Sequence, residues 1–170
     1  MNNQLSKSFL TQINQNIGIL HKVSKIYFDI KEDQEDVIQE MMYQLWHSFP
    51  RFNENSKFST WMYSVCINTA LTYSRKSKKK IFHTVPNVHD QVEVIEEDNL
   101  EESLNQLMYC ISKLTKLNKA IILLYLENMT YEEIASVTGL SKSNVSVRLV
   151  RIKREIENNF NKNKGTHEEV

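Results

Sequence analysis

Residues 57 to 80, KFSTWMYSVCINTALTYSRKSKKK, open with aromatic side chains at helical spacing and close with five basic residues among the last six. Aromatic faces stack on unpaired bases, and cations hold the phosphates between them. A single helix with both is therefore equipped to bind a nucleic-acid strand. The basic block is Arg75, Lys76, Lys78, Lys79 and Lys80. A core helix would explain the aromatics alone and a solvated face the cations alone; nucleic acid accounts for both.

A second basic block, Lys142, Arg148, Arg151, Lys153 and Arg154, follows near the C-terminal end. TYEE (130 to 133) reads as a capping box that opens a short helix carrying Ile134, Ala135 and Val137. Gly139 suits a left-handed turn, and Ser141 is a good N-cap for a last helix through about Asn159. Short helix, glycine turn and long basic helix form the sequence pattern of a helix-turn-helix. Ala135 is small where the two helices cross, and Val145 and Leu149 pack the second helix down. Arg148 and Arg151, with Ser143, Asn144, Ser146 and Val147, are then left to face outward. Phosphates would take the cations, while base edges would meet Asn144 and Ser146 and apolar contact from Val147 or Val150. An amphipathic hairpin with a solvated basic face fits the same pattern.

Other chemistries have no residues to carry them. Cys66 and Cys110 stand alone without a CxxC partner, and the five His are scattered, so neither a disulfide framework nor a metal site is expected. There is no glycine-rich phosphate loop and no nucleophile–base arrangement, and carboxylates concentrate where a rigid site is least expected. The reading is therefore no catalytic residue, no cofactor and no enzyme. No signal-peptide pattern opens the chain, and the longest apolar run, AIILLYL (120 to 126), is too short to span a bilayer. No membrane insertion and a cytoplasmic location are expected.

The elements that must position these groups read as helices throughout. The chain has 170 residues, 41% hydrophobic and 25% charged, which is enough for a core, and three Gly and two Pro are too few for an all-β fold. Phe9, Leu10, Ile13, Ile17, Leu20, Val23 and Tyr27 make one helical stripe across residues 5 to 28, which DIKEDQED (29 to 36) interrupts with charge. Val37, Ile38, Met41, Met42, Leu45, Trp46 and Phe49 make a cleaner one, opposite Asp36, Gln39, Glu40, Tyr43 and Gln44, and Pro50 ends it. RFNENSK (51 to 57) is a polar loop before a helix from Phe58 to about Lys78, expected to bury Phe58, Trp61, Met62, Val65 and Cys66. Leu104, Leu107, Met108, Ile111 and Leu114 begin a second unit, followed by a helix over about 118 to 127. Net charge is zero, yet residues 90 to 102 hold seven acids and no base. The expected fold is all-α, with two small helical units joined by a flexible acidic linker: 1–80, linker 81–102, helix-turn-helix unit 103–160, tail 161–170.

EDVIQEMMYQLWHSFPRFNENSKFSTWMYSVCINTALTYSRK, then a linker, then YEEIASVTGLSKSNVSVRLVRIKREI, resembles a bacterial RNA polymerase sigma factor. The similarity is to the compact two-region group called extracytoplasmic-function sigma factors, over roughly residues 5 to 160. The resemblance implies that the first unit docks on core polymerase and opens the promoter's −10 element, and that the second reads the −35 element as duplex. It places Asp36, Gln39 and Glu40 on the face that docks on the largest polymerase subunit, where pattern alone would give a solvated helix. It places Asn53, Asn55, Ser56 and Lys57 on a loop that holds a flipped base, an extrusion that costs a few kcal/mol of stacking. Phe58 and Trp61 would support that pocket and the exposed strand, though either also fits the core. Asn68 matches a base contact, and Arg75 and Lys76 would hold phosphates. For the −35 element the implied contacts are Lys142, Ser143, Asn144, Ser146, Val147, Arg148, Val150 and Arg151. Implied partners are core polymerase, promoter DNA and an anti-sigma factor. A different class, the helix-turn-helix repressor or activator, would bind duplex DNA without polymerase.

Overall fold

The structure, a computed structural model, describes residues 3–80 and 99–165, with side chains at 6–75 and 103–162. The described residues form helices joined by short loops, with no strand among them: α1 (Asn3–Asn16), α2 (Gly18–Tyr27), α3 (Lys31–Ser48), a 3-10 turn (Phe49–Arg51), α4 (Phe58–Lys80), α5 (Asn99–Ser112), α6 (Lys116–Leu126), α7 (Tyr131–Thr138) and α8 (Lys142–Gly165). The all-α fold in two helical units is the expected one; residues 81–98 of the expected linker lie outside the described residues.

In the first unit α2, α3 and α4 pack together around Leu20, Val23, Val37, Met41, Leu45, Met62, Cys66 and Ala70, all buried. Phe9 of α1 closes one end, with its ring edge-on to Trp46 at 5.0 Å and to Phe49 at 5.1 Å. The first stripe is two helices rather than one. The α-helix breaks at Ile17, next to Gly18, whose missing side chain makes it a poor helix residue, and Leu10 and Ile17 are exposed. The charged run after Tyr27 does not interrupt a helix for long. From Lys31 it forms the first turns of α3, where Glu32 and Asp33 suit the positive end of the helix dipole. α3 gives up its α-helical bonds at Ser48, and Pro50 sits in the tight turn that follows.

The second unit packs α5, α6, α7 and α8 around Ile111, Ile121, Leu124, Ile134, Val145, Leu149 and Ile152. Thr115 caps α6 by accepting the Asn118 N–H, and Thr130 and Glu133 close the capping box of α7. Gly139 takes φ 72° at the turn, a conformation that costs other residues energy, and Ser141 Oγ accepts the Asn144 N–H at 3.3 Å to start α8. Three expectations shift here. α5 starts at Asn99, so residues 99–102 are helix rather than linker; it buries Cys110 and Ile111 and leaves Leu104 and Met108 exposed. α8 runs on to Gly165, past the expected end at Asn159 and into the expected tail.

The two units touch. α7 lies against α4, and α5 and α6 lie against α2, so the apolar core continues from one unit into the other.

Candidate nucleic-acid and polymerase interfaces

α4 is used on three sides, and a helical turn of 100° per residue explains how. Met62, Cys66 and Ala70 point into the first unit's core. Thr60, Tyr63 and Ser74 face the second unit: the Thr60 hydroxyl donates to Glu133 at 3.5 Å, and Lys116 Nζ donates to Ser74 Oγ at 2.5 Å. Trp61, Asn68 and Arg75, seven residues apart, make the third stripe, with Asn68 and Arg75 exposed. Lys76 is on α4 beyond the described side chains.

The loop that leads into α4 is polar and exposed from Asn53 to Lys57. Glu54 holds a left-handed φ of 58°, and Asn53 Oδ1 accepts the Asn55 N–H at 3.4 Å, which bends the loop back on itself. Beneath it lies a floor of four aromatic rings. Trp61 sits 5.0 Å from Phe52, 5.3 Å from Phe58 and 6.3 Å from Phe49. Phe58 and Trp61 are both half-buried: each leans on this floor and keeps an edge to solvent, so neither is wholly core. Val65, expected to be buried, is half-exposed for the same geometric reason. Phe52 was missed from sequence as part of this floor. The FPRF spacing around Pro50, which folds two aromatics back on each other, was its signal.

On α3 the outward face brings together Asp36, Gln39 and Glu40. Asp36 Oδ2 accepts from the Tyr73 hydroxyl at 3.2 Å, and Glu40 Oε1 accepts from Gln44 Nε2 at 2.8 Å. Burial first, and then this hydrogen bond to Asp36, raise the Tyr73 phenol above its ordinary pKa. Tyr43 on the same face is exposed and stacks on His47 at 6.1 Å.

α7 and α8 form the expected helix-turn-helix, with Val145 and Leu149 packing α8 down. Ser143, Asn144, Val147, Val150 and Arg151 are exposed. Ser146 and Arg148 are half-buried, a correction to the outward placement: they flank the buried Val145 and Leu149 on the helix wheel. Lys142 is exposed but pairs with Glu132 across the turn, and that bond with Lys142 is the first cause holding the Glu132 carboxyl below its usual pKa. Lys153 lies 4.1 Å over the Tyr125 ring and donates to its hydroxyl, which ties α8 to α6. Of the second basic block, Arg151 and Arg154 are exposed as well.

Among the described residues no group of His, Cys, Asp and Glu could hold a metal ion, and no helix is long and apolar enough to cross a membrane.

Comparison with known proteins points one way. The family model for sigma-70 region 2 matches residues 13–80, and that for sigma-70 region 4 matches residues 104–156. The chain is 29% identical over 141 residues to the ECF RNA polymerase sigma-E factor of Haemophilus influenzae, covering 75% of each. It is 28% identical over 159 residues to that of Escherichia coli K12, covering 81% of this chain and 80% of the relative. The fold is similar to the sigma factor RpoE of Bartonella quintana in complex with the anti-sigma factor NepR. The TM-score is 0.70 at 17% identity, covering 91% of this chain and 98% of that one. It is also similar to CnrH in complex with the cytosolic domain of CnrY, with a TM-score of 0.64 at 18% identity, covering 89% and 86%. With both regions in order along one short helical chain, the protein belongs to the sigma-70 family, as a compact two-region RNA polymerase sigma factor of the ECF type.

Proposed function

We propose that the work of this sigma factor, binding core polymerase and directing promoter-specific initiation, is divided among three surfaces. Asp36, Gln39 and Glu40 on α3 dock on core polymerase. The loop Asn53, Asn55, Ser56 and Lys57, the aromatics Phe58 and Trp61, and then Asn68, Arg75 and Lys76 hold the −10 strand once it is melted. Lys142, Ser143, Asn144, Ser146, Val147, Arg148, Val150 and Arg151 read the −35 duplex. By this division residues 1–80 form the docking and −10 unit and residues 103–160 the −35 unit.

The observation that carries the reading is the outer stripe of α4. A polar loop over an aromatic floor runs into an exposed Asn68 and then Arg75, which is the order a strand needs for a base pocket, a stacking surface and phosphate contacts. The protein supplies positioning and binding, with no bond-making chemistry of its own. Its place is the cytoplasm, where polymerase and promoter are. One protein of similar fold was solved with an anti-sigma factor and another with the cytosolic domain of CnrY, and a partner of the anti-sigma class is proposed for this chain as well.

The test is transcription with purified core polymerase on fragmented genomic DNA from the source organism. Discrete new transcripts that need both components are expected. Asn55→Ala with Ser56→Ala should impair promoter opening, read by permanganate footprinting, with core binding intact. Arg151→Ala should weaken starts that depend on the −35 element. Intact opening in the loop variant would remove those residues from the −10 site.

A further inference from the structure

The docking face of α3 is acidic over its first half, and one residue of α4 reaches across to it. Asp33, Asp36 and Glu40 follow one another at steps of three and four, which sets their carboxylates on one side of the helix. Asp36 is exposed, while Asp33 and Glu40 are half-buried. Like charges at that spacing repel, and an exposed aspartate has several rotamers open to it. Left alone, the Asp36 carboxylate would sample several directions in water.

Tyr73 gives it one direction. It stands nearly one turn past Ala70, where the core stripe of α4 runs out to solvent, and is half-buried. Its hydroxyl is the donor to Asp36 Oδ2 at 3.2 Å. The ring is held in turn: it meets Phe28 edge-on, with centres 5.7 Å apart and planes at 82°. Phe28 is buried, its N–H donates to Ser24 O at 2.9 Å, and its carbonyl accepts from Gln34 Nε2 at 2.8 Å. Gln34 belongs to α3, so the support closes on the helix that bears Asp36. Asp33 and Glu40 also act on the Tyr73 phenol, which places one neutral donor among three carboxylates. Neutrality matters here. A lysine or arginine in its place would orient Asp36 but cancel its charge, whereas a phenol orients it and leaves the charge for a partner. The carboxylate keeps a second oxygen with which to meet one.

We propose that Tyr73 is a positioning residue for polymerase docking: its hydroxyl holds the Asp36 carboxylate in the direction from which it meets a basic group on core polymerase. This rests on the assignment of Asp36 to the docking face. An acidic face fits a partner surface that carries Arg or Lys, and such pairing gains most when the charge is already aimed. The role is separate from strand binding. Around α4, Tyr73 lies about 140° from Asn68 and about 160° from Arg75, well off the stripe assigned to the −10 strand. One helix thus serves the promoter with one side and steadies the docking face with another.

The experiment measures the affinity of the full chain for purified core polymerase, by fluorescence anisotropy of chain labelled at its N-terminus. Four proteins are compared: wild type, Tyr73→Phe, Asp36→Ala and the double variant. Tyr73→Phe keeps the ring on Phe28 and removes only the hydroxyl, and circular dichroism checks that the helices remain. It should weaken core binding roughly three- to tenfold. Asp36→Ala should weaken it at least as much, and adding Tyr73→Phe to Asp36→Ala should change nothing further, because the phenol acts through the carboxylate. In transcription, Tyr73→Phe should need more protein to reach half-maximal yield and then reach the wild-type plateau. Wild-type affinity in Tyr73→Phe beside a weak Asp36→Ala overturns the role of Tyr73 and leaves the docking face standing. Wild-type affinity in Asp36→Ala removes Asp36 from that face and takes the proposal with it. An equal loss from Tyr73→Phe with and without Asp36 shows that the phenol works by another route, and so does a lowered plateau; either overturns the positioning role.

Discussion

Glu133 shows how much one carboxylate can hold in this chain. Hydrogen bonding from Thr130 is the largest effect and lowers its pKa; burial opposes it, and the Lys57 ammonium lowers it further. A depressed folded pKa means that the unfolded chain takes up the proton first as pH falls. The stabilisation is therefore full above the ordinary glutamate value of about 4.3 and is lost as pH drops through the folded value. Wild type should melt above Glu133→Gln at pH 7, and the gap should narrow as pH falls below the ordinary glutamate value; a gap independent of pH would detach the carboxylate charge from stability. Cys66 sets a different expectation. Wholly buried in the first unit's core, its thiol is pushed up to about 12 by desolvation. Thiolate, the reactive form, is then scarce at neutral pH. Cys66, with the equally buried Cys110, should resist a thiol reagent until the chain is unfolded, and prompt labelling of the native protein would contradict this packing.

At the scale of the element, the turn between α7 and α8 was readable because its chemistry is local. Thr130, Glu133, Gly139 and Ser141 each take the cap or turn position that their side chains favour. At Gly139 an added Cβ would meet nothing within 4 Å, so Gly139→Ala should cost only the left-handed backbone, about 1–2 kcal/mol. That is a fall in Tm of roughly 2–4 °C per kcal/mol, with Gly139→Asn costing less. A loss well beyond this range would point to a clash that the space around Gly139 does not predict. α4 was harder to read for a physical reason. Periodicity reveals a helix with one apolar face, but α4 sets a core face, a face for the second unit and an open face around a single axis. Phe58, Trp61 and Val65 were expected in the core and stand half outside it, while Tyr63, not assigned from sequence, is buried against the other unit. Leu104 and Met108 failed similarly, since a stripe gives the spacing of a face but not what covers it.

At the scale of the whole molecule, composition and charge segregation gave two helical units with basic segments, and the structure has them. Their mutual contact was not legible. Lys22 and Glu127 are 105 positions apart and Thr60 and Glu133 are 73 apart, and no local pattern announces a pair at that separation. The continuous core makes a thermodynamic prediction. At low salt the two units should unfold together in one calorimetric transition, because each covers apolar surface of the other. Two transitions in wild type at low salt would show that the shared core does not couple the units. The three-sided use of α4 also bears on how freely the chain can vary. A helix with one buried face tolerates exchange over most of its circumference; α4 has scarcely a neutral position between Thr60 and Arg75. Random substitution should therefore do harm along its whole length without a helical rhythm, making it the segment where drift is slowest.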